Sequence, residues 1–222
     1  MRIIEPSVKI ITPISKDGYF ELKQLELAAR NCYKSEDKIT EDTTSAKKLV
    51  GFLIKNEHEA MLEHSTLTVR FICDRAVSHE LVRHRMASFA QESQRYCNYS
   101  NHEFGCNVCF VRPTTITEGT QAYDIWKKAM AHAEAYYFDM LDFGLTPQEA
   151  RAVLPNSTKT EVIVTANYRE WRHILKLRTS LRAHPDIRRL MLELAGKLRA
   201  QIPVVFDDIP ETTKEEKHEE QL

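Results

Sequence analysis

The chain has 222 residues and a formal net charge of −1. Its 42% hydrophobic and 28% charged residues are normal for a soluble globular protein. A chain of this length can bury enough apolar surface to fold without disulfides or structural metal ions. A near-neutral chain lacks the strong positive charge of a dedicated nucleic-acid binder. The sequence has no membrane-length apolar stretch and no signal-peptide core near Met1. We therefore expect a cytoplasmic protein with neither nucleic acid nor membrane as a partner.

Hydrophobic periodicity and capping residues predict the elements in chain order. Helices are predicted at about 19–33, from Thr43 or Thr44, from a cap at Asp74 towards Met86, at about 120–143, at 147–154, at 167–178 and after Pro185. Alternating patterns predict strands at 66–73, 107–112 and 160–165. Two local signals are specific: the capping box Thr146-Pro147-Gln148-Glu149, and Gly144 at a helix C-terminus.

Strands and helices are mixed without regular alternation. This favours an α+β fold, with helices packed on a mainly antiparallel sheet, over residues 1–210. The charged tail, 211–222, is predicted to be disordered. A glycine-rich turn after a strand is absent, so the sequence has neither a Rossmann fingerprint nor a P-loop.

The segment from Arg83 to Tyr96 has an unusual density of polar chemistry. Three arginines suit bidentate phosphate contacts, and its serines and glutamines offer the donors and acceptors that a pyrimidine needs. On a helix, successive residues point about 100° apart, so Arg83-His84-Arg85 is predicted to serve two ligands. A second polar cluster follows downstream: Arg151, Asn167, Arg169, His173 and Arg178. In both clusters the alternative is a charged face that simply meets water.

The polar segment resembles the signature of flavin-dependent thymidylate synthases. Arg83-His84-Arg85 is followed at the family's spacing by Ser88, Ser93 and Arg95-Tyr96. Other parts of the chain match in the family's order, from Ala29-Arg30 to His184: Glu63-His64, the stretch from Ala150-Arg151 to Pro155, Asn167-x-Arg169 and Leu177-Arg178.

The resemblance implies reductive methylation of dUMP to dTMP by a homotetramer with sites shared between chains. FAD would be the cofactor, with NADPH and 5,10-methylenetetrahydrofolate as co-substrates and tetrahydrofolate as a product. The implied FAD residues are His58, Glu63, Arg83, His84, Arg85, Gln91, Asn167, Arg169 and His173. The implied dUMP residues are Glu80, Arg83, Gln91, Ser93, Gln94, Arg95, Arg151 and Arg178, with Arg178 the catalytic group at the uracil ring.

The sequence departs from the family pattern at several of these positions. Gln91 stands where many members have glutamate, and Glu80 where many have glutamine. Ala60 replaces a small hydroxyl residue, and His173 is asparagine in some relatives.

The sequence leaves three alternatives open. The five cysteines favour free thiols, and Cys97, His102, Cys106 and Cys109 have zinc-like spacing, although a strand predicted there favours no metal. A cysteine-nucleophile enzyme is disfavoured because Cys73 and Cys109 lie on apolar strands. An RNA-binding module is disfavoured because the chain lacks an aromatic stacking motif.

Overall fold

A computed structural model describes residues 1–101, 105 and 107–210; the predicted disordered tail lies outside them. The α+β class with a mainly antiparallel sheet is confirmed. The helices are α1 (Tyr19–Asn31), α2 (Thr44–Lys55), α3 (Arg75–Leu81), α4 (Gln121–Asp142), α5 (Pro147–Ala150), α6 (Tyr168–Arg178) and α7 (Pro185–Gln201). The strands are β1 (Arg2–Ile4), β2 (Ser7–Ile10), β3 (Thr66–Asp74), β4 (Ser88–Gln91), β5 (Cys109–Val111) and β6 (Lys159–Asn167). Among these helices, none has the length and apolar character needed to cross a bilayer.

The chain forms two compact units. Of the described residues, the first unit comprises those in 1–7, 71–83 and 89–163, and the second comprises 8–70, 84–88 and 164–210. One sheet has the strand order β2-β3-β6-β4, and a separate pair joins β1 to β5 in parallel.

The first unit is built around α4. Tyr123, Trp126, Met130 and Tyr137 repeat at helical spacing and are buried in one apolar cluster with Phe110 of β5. The helix begins where the Thr120 hydroxyl accepts the Tyr123 amide proton at 3.2 Å, and Gly144 follows its end with a positive φ of 88°. Both ends match the prediction, and the predicted capping box begins α5.

The second unit packs helices around the remaining core. α1 packs on α2, and α6 on α7. Leu190, Leu194 and Leu198 of α7 are fully buried, as their spacing predicts. Trp171 of α6 is also buried, and its indole nitrogen donates to the Leu67 carbonyl of β3 at 2.9 Å. These contacts hold α6, which carries most of the downstream polar cluster, in a rigid setting.

The predicted helix towards Met86 is wrong in its extent. Asp74 does cap α3, accepting the Val77 amide proton at 2.7 Å, but the helix ends at Leu81. The chain leaves the helix because Ser88–Gln91 forms β4 beside β6. Arg83-His84-Arg85 therefore lies in a turn, and the helical argument for its side-chain directions does not apply. The other predicted bounds differ by a few residues, and β1, β2 and β4 were not predicted.

Candidate active site

The N-terminus of α6 opens onto a cavity in the second unit. Asn167 caps the helix by accepting the Glu170 amide proton at 2.9 Å. Arg169 and His173 are four residues apart and share one helix face. The cavity has a volume of about 440 Å³ and is lined by Glu59, Glu63, Met86, Asn167, Arg169, Glu170 and His173. Four of the residues that the resemblance implies for FAD thus meet in one cavity.

The rim of this cavity carries an ion pair. Arg169 Nη1 lies 2.5 Å from Glu63 Oε1, and both side chains are about half exposed. Such a pair contributes little to stability because water competes for both charges. The guanidinium is therefore available for exchange to a ligand anion. His58, another implied FAD residue, is exposed at the start of the 3-10 turn Glu59–His64, with its ring centre 6.4 Å from that of Phe52.

His84 and Arg178 form a partly buried contact in the same unit. The Arg178 Nε–H donates to His84 Nε2 at 3.1 Å, and His84 is only 6% exposed. Glu170 Oε1 lies 3.8 Å from His84 Nδ1, and the His173 ring centre is 6.1 Å from that of His84. Burial, Arg178 and His173 together lower the pKa of His84 to about 4. At neutral pH the imidazole is therefore uncharged.

The two arginines that flank His84 are exposed. Arg83 is the last residue of the 71–83 segment of the first unit, whereas Arg85 belongs to the second. In this turn the Arg83 and Arg85 side chains are exposed, and the His84 side chain between them is buried. This accords with two arginines available to ligands and a histidine held inside the protein.

Gln91 lines a cavity of about 770 Å³ in the first unit. Its Nε2 donates to Ser78 Oγ at 2.9 Å and to Thr160 Oγ1 at 3.2 Å. The Ser78 hydroxyl donates to the Arg75 carbonyl at 2.8 Å, so its oxygen must accept from Gln91. The Gln91 amide nitrogen is thereby committed, and the oxygen is the atom that Gln91 can offer to a ligand.

The other implied dUMP residues of the first unit lie on turns and short helices. Ser93, Gln94 and Arg95 form the turn after β4, where Ser93 Oγ accepts the Arg95 amide proton at 3.3 Å and Gln94 is buried. The Arg95 side chain is exposed, with its guanidinium 5.4 Å from the Tyr96 ring centre. The remaining two are Arg151, half-buried after α5, and Glu80, half-buried in α3. None of these five is among the described residues that line the 770 Å³ cavity with Gln91.

A charged cluster beside Gln91 was missed by sequence reasoning. Lys159 Nζ lies 2.7 Å from Glu92 and 2.8 Å from Glu161, and the Tyr99 hydroxyl donates to Glu92 at 3.1 Å. Burial alone would lower the pKa of Lys159, but its hydrogen bonds to the two carboxylates raise it overall. Part of this cluster could have been predicted from the sequence, because Lys159 and Glu161 are two residues apart on β6 and therefore lie on the same face of the strand. In the other cavity, Glu59, Met86 and Glu170 were also missed.

Three of the four described cysteines are poor candidates for a nucleophile. Burial raises the pKa of Cys73 to about 12, and it also raises the pKa of Cys97 and Cys109. A protonated thiol attacks weakly. Cys32 is exposed directly after the last residue of α1, and its thiol donates to the Ala28 carbonyl at 3.8 Å. His102 and Cys106, two members of the zinc-like set, lie outside the described residues.

One group of described residues has ligand atoms close enough for a metal. The candidate atoms of His84, Glu170 and His173 lie within 4.8 Å of one another. The positively charged Arg178 guanidinium donates to Nε2 of His84. A positive charge this close to the three residues disfavours a bound cation. The group is better suited to an anionic or polar ligand.

Comparison with known proteins identifies the family. Residues 20–204 match the family model described as thymidylate synthase complementing protein. A flavin-dependent thymidylate synthase of Corynebacterium aurimucosum is 36% identical over 205 residues, which cover 85% of this chain and 80% of that protein. One from Pyrococcus abyssi is 36% identical over 178 residues, covering 78% and 70%.

A solved structure shares the fold. It is the UMP/dUMP methylase PolB from Streptomyces cacaoi bound with 5-Br dUMP, with a TM-score of 0.76 and 24% identity. The match covers 93% of this chain and 96% of that chain. The family-model match over most of the sequence, together with relatives of this identity and coverage, shows that the chain belongs to the thymidylate synthase complementing protein family.

Proposed function

We propose that this chain is a flavin-dependent thymidylate synthase that converts dUMP to dTMP. The observation that carries the proposal is the identity of about a third to relatives of that name over four-fifths of both chains. FAD is the cofactor of such an enzyme, and NADPH and 5,10-methylenetetrahydrofolate are its co-substrates. The geometry adds two polar cavities of ligand size, one in each unit.

The second-unit cavity suits the flavin cofactor. Its 440 Å³ volume accommodates part of a dinucleotide, and its lining combines the Arg169 guanidinium and the His173 imidazole with the apolar side chain of Met86. Arginine is suited to bidentate phosphate contacts, and methionine packs well on flat aromatic rings. We assign Glu63, Asn167, Arg169 and His173 to FAD on this basis, with His58, Arg83, His84, Arg85 and Gln91 assigned by the resemblance alone. When bound, the reduced flavin supplies the hydride for the methyl group.

The chain's own contribution to chemistry is electrostatic. Methylation at C5 needs electron density on the uracil ring, and Cys73, Cys97 and Cys109 are unsuited to supply it by attack. A guanidinium at the O2 and N3 edge stabilises the negative charge that develops there. Arg178 is the proposed group because it ends α6, the helix that also carries the cavity residue His173, and its guanidinium is held by His84. Arg95 would bind the phosphate of dUMP. The other dUMP residues, assigned by the resemblance, would be Glu80, Arg83, Gln91, Ser93, Gln94 and Arg151.

We further propose a homotetramer whose sites draw residues from more than one chain. The implied dUMP residues divide between the two units, with Arg95 in the first and Arg178 in the second. Closed dihedral symmetry is the usual arrangement of four identical chains. Sharing a site between subunits would let a chain of 222 residues bind three large ligands without a separate cofactor domain.

A spectrum and a turnover assay test the function. Purified protein should show a flavin absorption band near one flavin per chain, which NADPH bleaches under anaerobic conditions. dTMP should form only when dUMP, methylenetetrahydrofolate and NADPH are all present. Protein that neither binds flavin nor forms dTMP would reject the proposed function.

A further inference from the structure

His84 touches Arg178 through the nitrogen that carries no proton. Arg178 Nε–H donates to His84 Nε2 at 3.1 Å, and a nitrogen that accepts a hydrogen bond is unprotonated. The neutral imidazole must then hold its proton on Nδ1. That nitrogen faces Glu170, whose carboxylate oxygen lies 3.8 Å away and favours a proton there. The contacts on both sides of the ring thus select one tautomer.

The charged groups around His84 keep it in the accepting form. Arg178 and His173 both disfavour a positive ring, and Glu170 is the carboxylate that opposes them. Burial is the largest cause, since His84 is 6% exposed, and the neighbours Arg178 and His173 add to it. A protonated imidazole would have no lone pair for Arg178 and would place two positive charges in contact.

The contact fixes the guanidinium at its inner nitrogen. Nε belongs to the planar guanidinium group, so an acceptor at Nε restricts both the position and the plane of the group. An arginine side chain without such a contact would have to give up its rotamer freedom when it binds a ligand.

We propose that His84 is a positioning residue for the uracil ring: it accepts from Nε of Arg178 and thereby holds the guanidinium in the orientation that stabilises the ring's developing charge. This inference rests on the proposed function, because it assigns a task within that reaction. If His84 acted instead by contacting flavin directly, the effect of replacing it would not depend on Arg178.

A double-mutant cycle tests this. The variants are His84→Leu, Arg178→Ala and the double variant, each pre-reduced and followed through a single dUMP methylation, with flavin content and melting temperature measured on the same samples. His84→Leu should slow methylation about tenfold or more, yet change the rate of the Arg178→Ala protein less than about twofold. Losses that simply multiply would overturn the positioning role.

His173→Leu is the matched control because it removes the neighbouring imidazole, 6.1 Å from His84 between ring centres. Its effect should be the same with and without Arg178. His84→Gln keeps an amide oxygen near the position of Nε2 and should recover most of the rate lost in His84→Leu. This second variant keeps the test valid if leucine prevents folding, since failure of glutamine to recover the rate in a folded, flavin-bound protein would also count against the proposal.

Nitrogen NMR of labelled histidines gives a readout that is independent of turnover. His84 should be neutral at pH 7 with an unprotonated Nε2, and Arg178→Ala should shift that nitrogen. A ring protonated on Nε2 at neutral pH would overturn the inference. A wild-type protein that binds flavin and forms dTMP while failing these tests would reject only the positioning role, not the proposed function.

Discussion

At the scale of single residues, the informative feature is how neighbours far away in sequence orient a polar side chain. Sequence comparison indicated that Gln91 replaces a glutamate, but not which amide atom it presents. That choice depends on Ser78 and Thr160, which are 13 and 69 residues away, and on the hydrogen bond that Ser78 gives to Arg75. With its nitrogen engaged, Gln91 offers an oxygen, as the family's glutamate does. The departure from the family pattern therefore keeps an acceptor at this position.

Removing the Ser78 hydroxyl should loosen Gln91. We expect Ser78→Ala to raise the dUMP KM up to about tenfold with little change in kcat, because one buried hydrogen bond contributes about 1 kcal/mol. Steady-state kinetics measure both constants. Ser100→Ala, an exposed serine outside the segment from Arg83 to Tyr96, is the control and should leave KM unchanged. An unaltered KM in Ser78→Ala would show that the hydroxyl does not orient Gln91.

His84 also predicts how stability depends on pH. Its pKa is lowered from 6.5 to about 4 in the folded protein, so the unfolded chain binds more protons between these values. The stabilisation is fully present above pH 6.5 and is lost as pH falls towards 4. The advantage of wild type over His84→Gln in unfolding free energy should shrink across that window by up to about 3 kcal/mol. Urea denaturation of both proteins at several pH values measures this, and a constant difference would contradict the lowered pKa.

At the scale of elements, the sequence predicted those that carry their own signals. α4 and α6 begin at side-chain caps, Thr120 and Asn167, and both have a clear apolar stripe. β4 has no such signal, because its four residues alternate only weakly between exposed and half-buried positions. Its pairing with β6 makes it a strand, and that pairing also ends α3 before the Arg83-His84-Arg85 turn. Long-range pairing of this kind is invisible to periodicity.

Arg172 shows the same limit within a correctly predicted helix. It is 1% exposed, and its guanidinium contacts Asp208 at 2.5 and 2.8 Å, Glu59 at 3.1 Å and the Val205 carbonyl. The sequence analysis did not single it out. In the structure it ties α6 to the segment after α7 and to the 3-10 turn beside the 440 Å³ cavity.

Breaking this contact should be costly. Arg172→Met leaves the partly buried Asp208 and Glu59 without their main partner, and we expect a loss of about 2–4 kcal/mol in unfolding free energy. Lys176→Met is the matched control: this half-exposed lysine lies 3.6 Å from Asp208 and 3.8 Å from Glu59. It should cost less than about 1 kcal/mol because exposed pairs contribute little. Chemical denaturation measures both variants, and equal losses would contradict a special role for the buried guanidinium.

At the scale of the whole molecule, the distribution of site residues has a consequence for assembly. Sequence resemblance implied two sets of ligand residues, and the structure assigns Arg95 to the first unit and Arg178 to the second. The sequence could not indicate which chain supplies each residue to a given dUMP, because intersubunit geometry leaves no local pattern. The proposal of shared sites makes that assignment testable: Arg95 and Arg178 should reach one dUMP from different chains.

Mixed tetramers test whether the Arg95 and Arg178 of one site come from different chains. Arg95→Ala and Arg178→Ala should each be nearly inactive alone, since one removes a phosphate contact and the other the charge at the ring. When the two variants are co-expressed with different tags and purified through both, a hybrid site can take intact Arg95 from one chain and intact Arg178 from the other. Random mixing then leaves about a quarter of the sites intact at both positions. If both arginines came from the same chain, every site would lack one of them. Confirmed hybrids with no recovered activity would therefore exclude this form of sharing, whereas recovery towards a quarter of the wild-type rate per chain would require it.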